Sequence, residues 1–352
     1  MSTSSARVTL RQLCQLGLPG PQLLPTLLPV LRGIIKADHA AFFYCDGHGN
    51  ISNLFAERML SPQAQSNFHD QHSDLQFREK YLQRVTAQQA VSRYSVGAQD
   101  REGAYHQDVL GPLDISHVMY AIVRTGSRVL GQLSLYRGSD GAAFSLRDEE
   151  RLYEMLHYLG DALSIAPQPL GTASQEHAIE HGLAVFNTQG EVVFHDEHWL
   201  RLIRMAKGDP ITPANALYES HSLPLFVQAV RQTVWASPQA LHRTETMWGN
   251  FSFRSHRLTD SQGASAQGLV VTRLSTEPLQ LAQGLADQGL SPKQREVAML
   301  LAQGYSNQTI AQKLGVSLNT AGYHVKLVFS RLGVRDRASV GKALLGSGIR
   351  HS

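Results

Sequence analysis

The sequence predicts an α+β chain: two antiparallel-sheet domains followed by an all-α domain of four short helices. Three observations carry that prediction. Stretches 20–165 and 175–275 each mix amphipathic helices with short apolar runs that reverse at glycine-containing turns, the pattern of hairpins flanked by helices. Residues 289–346 hold four helical runs, each opened by a capping residue and closed by glycine. Charge is also uneven: from residue 285 onward nine Lys/Arg face three Asp/Glu, a net +6, which leaves −3 on the first 284 residues of a chain whose total is +3. A basic tail on an acidic body points to a polyanionic partner for the tail.

At 352 residues with 42% hydrophobic and 17% charged content, the chain can bury two or three cores and is not a disordered polypeptide. Its two cysteines, Cys14 and Cys45, make no disulfide framework, so a reducing cytoplasm is expected. The opening residues "MSTSSARVTLRQLCQLGLPGPQ" contain no long apolar core before a cleavage site, and no run reaches the 18 apolar residues of a membrane span. Neither a leader nor a membrane partner is expected.

In the first domain, residues 1–165, the segment 20–165 begins with the apolar helix "TLLPVLRGIIKA". The run "AAFFYCDGHGNISNLFAE" reads as a strand pair turning at Asp-Gly-His-Gly-Asn. A polar helical middle follows over 62–90, then a hairpin "HVMYAIVRTGSRVLGQLSLYR" turning at Thr125-Gly126-Ser127. "SLRDEERLYEMLHYLGDALSI" closes the domain as one amphipathic helix capped by Ser145, with Leu152, Leu156, Leu159 and Leu163 on one stripe. That stripe either covers its own sheet or pairs two copies. A linker is expected over 166–175, on the Pro/Gly/Ser-rich "APQPLGTAS".

The second domain, 176–275, reads helix, strand, glycine turn, strand, helix in "EHAIEHGLAVFNTQGEVVFHDEHWLRLIRMA", with later strands ending in "GLVVTRL". A second linker is expected over 276–288 before the tail, 289–352.

The tail is the most legible part. Ser291, Pro292 and Gln294 form a capping box at the start of the first helix, whose apolar residues are Val297, Leu300 and Leu301. Ser306 caps the second helix, with Ile310, Ala311 and Leu314 inward, and Gly315 ends it. Ser317 caps a third, to about Leu332, and Asp336 a fourth, from about Arg337 to Leu345. Gly315-Val316-Ser317 therefore joins a helix stop to a helix start, the connection of a helix-turn-helix. On the third helix Ala321, Val325, Val328 and Leu332 face the core, and Asn319, Gly322, Tyr323 and Lys326 face outward, where a major groove would lie.

The stretches "LSPKQREVAMLLAQGYSNQTIAQKLGVS" and "NTAGYHVKLVFSRLGVRDRA" resemble the LuxR-type DNA-binding domain of bacterial regulators. The resemblance implies major-groove reading by the third helix and dimers formed partly through the fourth. Its DNA-contacting positions fall on Ser306, Asn307, Ser317, Asn319, Thr320, Tyr323, Lys326 and Arg337. Where the family usually carries Thr-Val-Lys, this chain has Thr320-Ala321-Gly322, so a basic contact is missing. Arg331 is expected to pair with Glu296 inside the domain.

The first domain resembles a GAF domain in element order, above all in "FSLRDEERLYEML", and the second is similar to a PAS domain, with His195-Asp196 where that family often has Asn. Both resemblances imply sensor or dimerisation modules. A pocket for an unidentified small-molecule effector is expected in the first domain, against the sheet containing Phe43, Cys45, Met119 and Ala121. No cofactor is assigned. The pairs His69/His72, His177/His181 and His195/His198 have metal-ligand spacing, but sixteen histidines make chance pairs common, and no metal is expected.

The chain is thus expected to be a non-enzymatic transcriptional regulator in the cytoplasm, at the nucleoid. Its expected partners are double-stranded DNA and a second copy of itself, with RNA polymerase a further candidate. The alternative is a signalling protein or enzyme whose tail is a protein-docking module.

Overall fold

The computed structural model describes residues 3–58, 72–97, 99–103, 106–166, 177–212, 222–235, 241–259, 263, 265–286 and 288–347. The chain divides into two compact units. One comprises residues 17–169 and 178–274; the other comprises 1–16, 170–177 and 275–352.

The larger unit holds two five-stranded antiparallel sheets, and the architecture is α+β. In the first sheet β1 (His39–Cys45), β2 (Ile51–Ala56), β3 (Val91–Ser95), β4 (His117–Thr125) and β5 (Arg128–Arg137) lie in the order β2-β1-β5-β4-β3. One face is covered by α2 (Gly20–Ile35) and by α4 (Leu146–Tyr153) and α5 (Leu156–Leu163), after α1 (Thr3–Cys14). Leu24, Leu27 and Leu31 of α2 are buried there with Phe42, Leu133 and Leu135. The other face lies under α3 (His72–Thr86), which falls in the helical middle predicted by the sequence; residues 59–71 lie outside the described residues.

The closing helix is broken. Asp148 completes a capping box with Ser145 at the start of α4, and the chain turns at Glu154 and Met155 before α5 begins. The break lets α4 meet β3 and α5 lie along β4. Leu152, Leu156, Leu159 and Leu163 are all buried, so the stripe covers its own sheet and is not a free pairing surface.

In the second sheet β6 (His177–Phe186), β7 (Val192–His195), β8 (His242–Thr246), β9 (Gly249–Thr259) and β10 (Ser265–Ser275) run in the order β7-β6-β10-β9-β8. The stretch from His177, expected to be helical, is extended from its first residue. Alternating Ala184 and Phe186 are buried at 0% and 1%, which rewards a strand over a helix here. Helices α6 (Trp199–Lys207) and α7 (Ser222–Trp235) follow the first hairpin. Trp199, Trp248, Phe251, Phe253 and Phe186 are almost completely buried, so this domain fills its interior with its own aromatic rings. Asp196 serves the fold: one oxygen caps α6 through the amides of His198 and Trp199 (3.0 and 2.8 Å), and the other accepts from Leu183 of β6 (2.8 Å).

The two sheets share one unit through specific contacts. The Asn53 side chain accepts from the Ile211 amide at 2.8 Å, and Phe55 meets Trp248 with ring centres 6.1 Å apart. Arg273, buried, donates to the carbonyls of Gln22 (2.7 Å) and Trp248 (3.3 Å). Burial pulls its pKa down to about 10.

The smaller unit is helical. It joins α1 to α8 (Glu277–Ala286), α9 (Pro292–Ala302), α10 (Asn307–Leu314), α11 (Leu318–Leu332) and α12 (Ala338–Ser347). The stretch 276–288, expected as a linker, is mostly the helix α8, packed on α1, α9 and α12. Leu279, Leu281 and Leu285 are buried there with Leu10 and Leu13 of α1. Gly284 is required by this packing: a Cβ at that position would overlap the carbonyl of Leu344. Arg295, buried, donates to the Leu290 carbonyl (3.1 Å) and to the hydroxyl of Ser5 (3.2 Å), tying α9 to α1. No described helix is long and apolar enough to cross a membrane.

Candidate nucleic-acid interface

Three serines set the helix starts. The hydroxyl of Ser291 accepts from the Gln294 amide, that of Ser306 from Thr309 (3.2 Å) and that of Ser317 from Thr320 (3.1 Å). Each satisfies an amide that the first helical turn leaves without a carbonyl. Gly315, at φ +60°, closes α10 with its amide directed back to the Ala311 and Gln312 carbonyls, and Ser317 opens α11 two residues later. A left-handed residue there is cheap only as glycine. Asp336 takes the Ser339 amide (2.9 Å) and so starts α12.

α11 is anchored by Ala321, Val325 and Val328, all buried, against α9 and α10. The opposite face is exposed: Asn319, Thr320, Tyr323 at 61% and Lys326. Ser317 and Thr320 share a hydroxyl contact of 2.8 Å at the start of this face. Gly322 leaves a gap in it, since a Cβ there would meet nothing within 4 Å. The face can offer a phenol, an ammonium, an amide and two hydroxyls, together with the helix amino end, to a polyanion.

Asn307 and Arg337 stand apart from that set. The Arg337 guanidinium donates to the Asn307 side-chain oxygen Oδ1 at 2.6 Å, half-buried, and braces the start of α10 against the segment before α12. Arg331 donates to the Gly289 carbonyl (3.3 Å), while Glu296 pairs with Lys293 (3.2 Å); the expected Arg331–Glu296 pair is replaced by these two contacts. Lys293 is one helical turn from Glu296, and the carbonyl of Gly289 faces Arg331.

Residues 288–341 match the family described as GerE, bacterial regulatory proteins of the luxR family. They form a LuxR-type domain. The chain is also 41% identical over 51 residues to the probable transcriptional regulatory protein SgaR of Hyphomicrobium methylovorum, a match covering 14% of this chain. The chain spans about a quarter (24%) of the length of that relative. Among solved structures, similarity is found to GAF3 from Slr1393 of Synechocystis sp. PCC6803, at 14% identity over 39% of this chain and 89% of that one, TM-score 0.30. Similarity is also found to the VqmA dimer of Vibrio cholerae, described with LuxR-type receptors, at 18% identity over 48% of this chain and 84% of that one, TM-score 0.19.

The residues expected to line an effector pocket do not come together. Phe43 pairs with Gln132, and Ser134 pairs with Tyr120, so Phe43, Gln132, Ser134 and Tyr120 share the face under α3. Met119 and Ala121 pair with Leu135 and Leu133 on the opposite face and are buried at 0% and 1% beneath the helices. Alternation along β4 forbids Met119 and Ala121 from lining a cavity that Phe43 lines. Cys45 lies on the Phe43 side, beyond an irregularity in the β1–β2 pairing, next to the Tyr81 hydroxyl. It lines a separate cleft of about 730 Å³ with Tyr44, Tyr81, Leu163 and Met247. Phe43 lines a cavity of about 310 Å³ between the sheet and α3.

The histidine pair His177/His181 changes its setting as well. His177 and His181, on a strand rather than a helix, lie roughly 13 Å apart along β6. His181 contacts Thr272 (3.0 Å), and His195 contacts the carbonyl of Asp196 (2.8 Å). His69 lies outside the described residues.

Proposed function

We propose that the protein is a transcriptional regulator that binds double-stranded DNA through α11, with its two-sheet unit sensing a small molecule. The observation that carries this reading is the exposed Asn319, Thr320, Tyr323 and Lys326 face on a helix whose other face is fixed in a LuxR-type domain. Helices α1 and α8 lead directly from the two-sheet unit into the helical one, at Leu16–Gly17 and at Leu274–Ser275. Strain at either junction would reach the packing of α9 and α12, which gives sensing a physical route to DNA binding. A homodimer on a two-part site supplies the avidity that a recognition helix with Gly322 in place of a cation needs. This protein then works in the cytoplasm, at the nucleoid, and RNA polymerase is its further partner.

The test is a band shift of duplex DNA across a salt series. Log affinity should fall linearly with log salt, with a slope that shrinks by about one in Lys326→Ala. A slope near zero would exclude DNA as the tail's partner.

A further inference from the structure

The 310 Å³ cavity of the first sheet has a chemistry that narrows its ligand. Its floor is Phe43, Tyr94, Tyr120, Gln132, Ser134 and Tyr136, and its roof is Phe77, Lys80 and Arg84 of α3. Volume sets the size: this is the low end of small-molecule sites, room for one ring with short substituents rather than a nucleotide or a tetrapyrrole. The walls set the shape. Phe43 and Phe77 stand 5.2 Å apart, centre to centre, and Phe77 stacks parallel to Tyr81 at 6.2 Å, so the cavity is bounded by flat aromatic surfaces.

The charge is set by Arg84. Its guanidinium lies 3.9 Å over the Tyr120 ring and donates to the Gln132 side-chain oxygen at 3.0 Å. Held on two sides, it needs no reorganisation to receive a planar, two-oxygen acceptor. Among the described residues no carboxylate lines the cavity; Asp100 accepts from the Tyr94 hydroxyl and lies beside Lys80, and Arg84 adds a second cation to the lining. The hydroxyls of Tyr120 and Tyr136 are held protonated far above neutral pH, by burial in both cases, and stay available as neutral donors.

We propose that this cavity binds a small aromatic carboxylate, its carboxylate on Arg84 and its ring against Phe43 and Phe77. The proposal rests on the reading of the two-sheet unit as the sensing part of the protein. It names the ligand class of that unit.

Titration calorimetry on the full chain tests it, with benzoate, 4-hydroxybenzoate, benzamide and cyclohexanecarboxylate as probes and no DNA present. At least one of the two aromatic acids should bind. Benzamide, the same ring without the charge, should bind at least about tenfold more weakly, as should cyclohexanecarboxylate, which keeps the charge without the flat ring. Arg84→Gln should lose at least about tenfold, and Arg84→Lys should keep part of the affinity. Absence of binding by both aromatic acids overturns the proposal. So does an amide or an alicyclic acid that binds within tenfold of them, or an Arg84→Gln protein that melts cooperatively and binds as the wild type does. If Arg84→Gln fails to fold, the contrast between acid and amide on the wild-type chain still decides. Because DNA is absent throughout, failure here is separate from failure of the band shift.

Discussion

Lys326 leaves α11 on the side away from Val325 and Val328, so its removal touches no packing. Lys326→Ala should weaken DNA binding by roughly 1–3 kcal/mol where the contact is to a base, with an unchanged thermal melt. Gly322, one turn earlier on the same side, permits the opposite experiment. A Cβ there meets nothing within 4 Å, and lysine is a better helix former than glycine by up to about 1 kcal/mol. Gly322→Lys should therefore raise both the melting temperature and the low-salt affinity, and steepen the salt slope by about one. A rise in affinity with an unchanged slope would place position 322 away from phosphate. Lys326 and Gly322 were readable from the sequence because helical spacing alone puts them opposite the apolar stripe. Arg337 was not: its bond to Asn307 joins residues thirty positions apart, and nothing local distinguishes a brace from a phosphate contact.

At the scale of elements, caps and registers decide. Asp148 anchors α4 with partners on three sides: the Ser145 amide and hydroxyl and the Arg137 guanidinium. Burial alone would raise its pKa, but the hydrogen bonds from Ser145 and the charge of Arg137 outweigh it and hold the carboxyl below its usual value. A depressed carboxylate adds stability above its unfolded pKa and loses it as pH falls through the folded one. Asp148→Asn should cost roughly 1–3 kcal/mol at pH 7. The difference from wild type, read from urea midpoints, should narrow as pH drops below about 4. A gap independent of pH would assign the loss to packing instead. The caps of α9 to α12 were legible because each signal lies within four residues of its target. The cavity wall was not, because it depends on the pairing of β1 with β5 and of β5 with β4, and one residue of register exchanges the faces. The break at Glu154 and Met155 was hidden for a related reason: the leucine spacing continues across it, and only the sheet beneath demands the bend.

For the whole molecule, the division into units makes two predictions. Gly284→Ala should destabilise the helical unit by about 1–3 kcal/mol, because the added methyl must displace the α12 backbone. It should weaken DNA binding without changing the recognition face. Full affinity and an unshifted melt would mean that α8 and α12 slide apart freely. The buried leucine stripe of α4 and α5 removes the surface first expected to pair two copies. Light scattering should still report a dimer for the full chain, and residues 17–275, which keep both sheets, should report one too. A monomeric 17–275 beside a dimeric full chain would assign the pairing to the helical unit.

The packing of α1 on α8 and α9 also has a consequence in time. During synthesis Leu10 and Leu13 emerge before the helices that cover them, which follow more than 250 residues later. At bacterial elongation rates that interval is on the order of tens of seconds. Throughout it the apolar face of this segment, Ala6, Leu10 and Leu13, lacks its covering helices. A ribosome that stalls within the two sheets leaves that face without the helices that bury it in the finished chain.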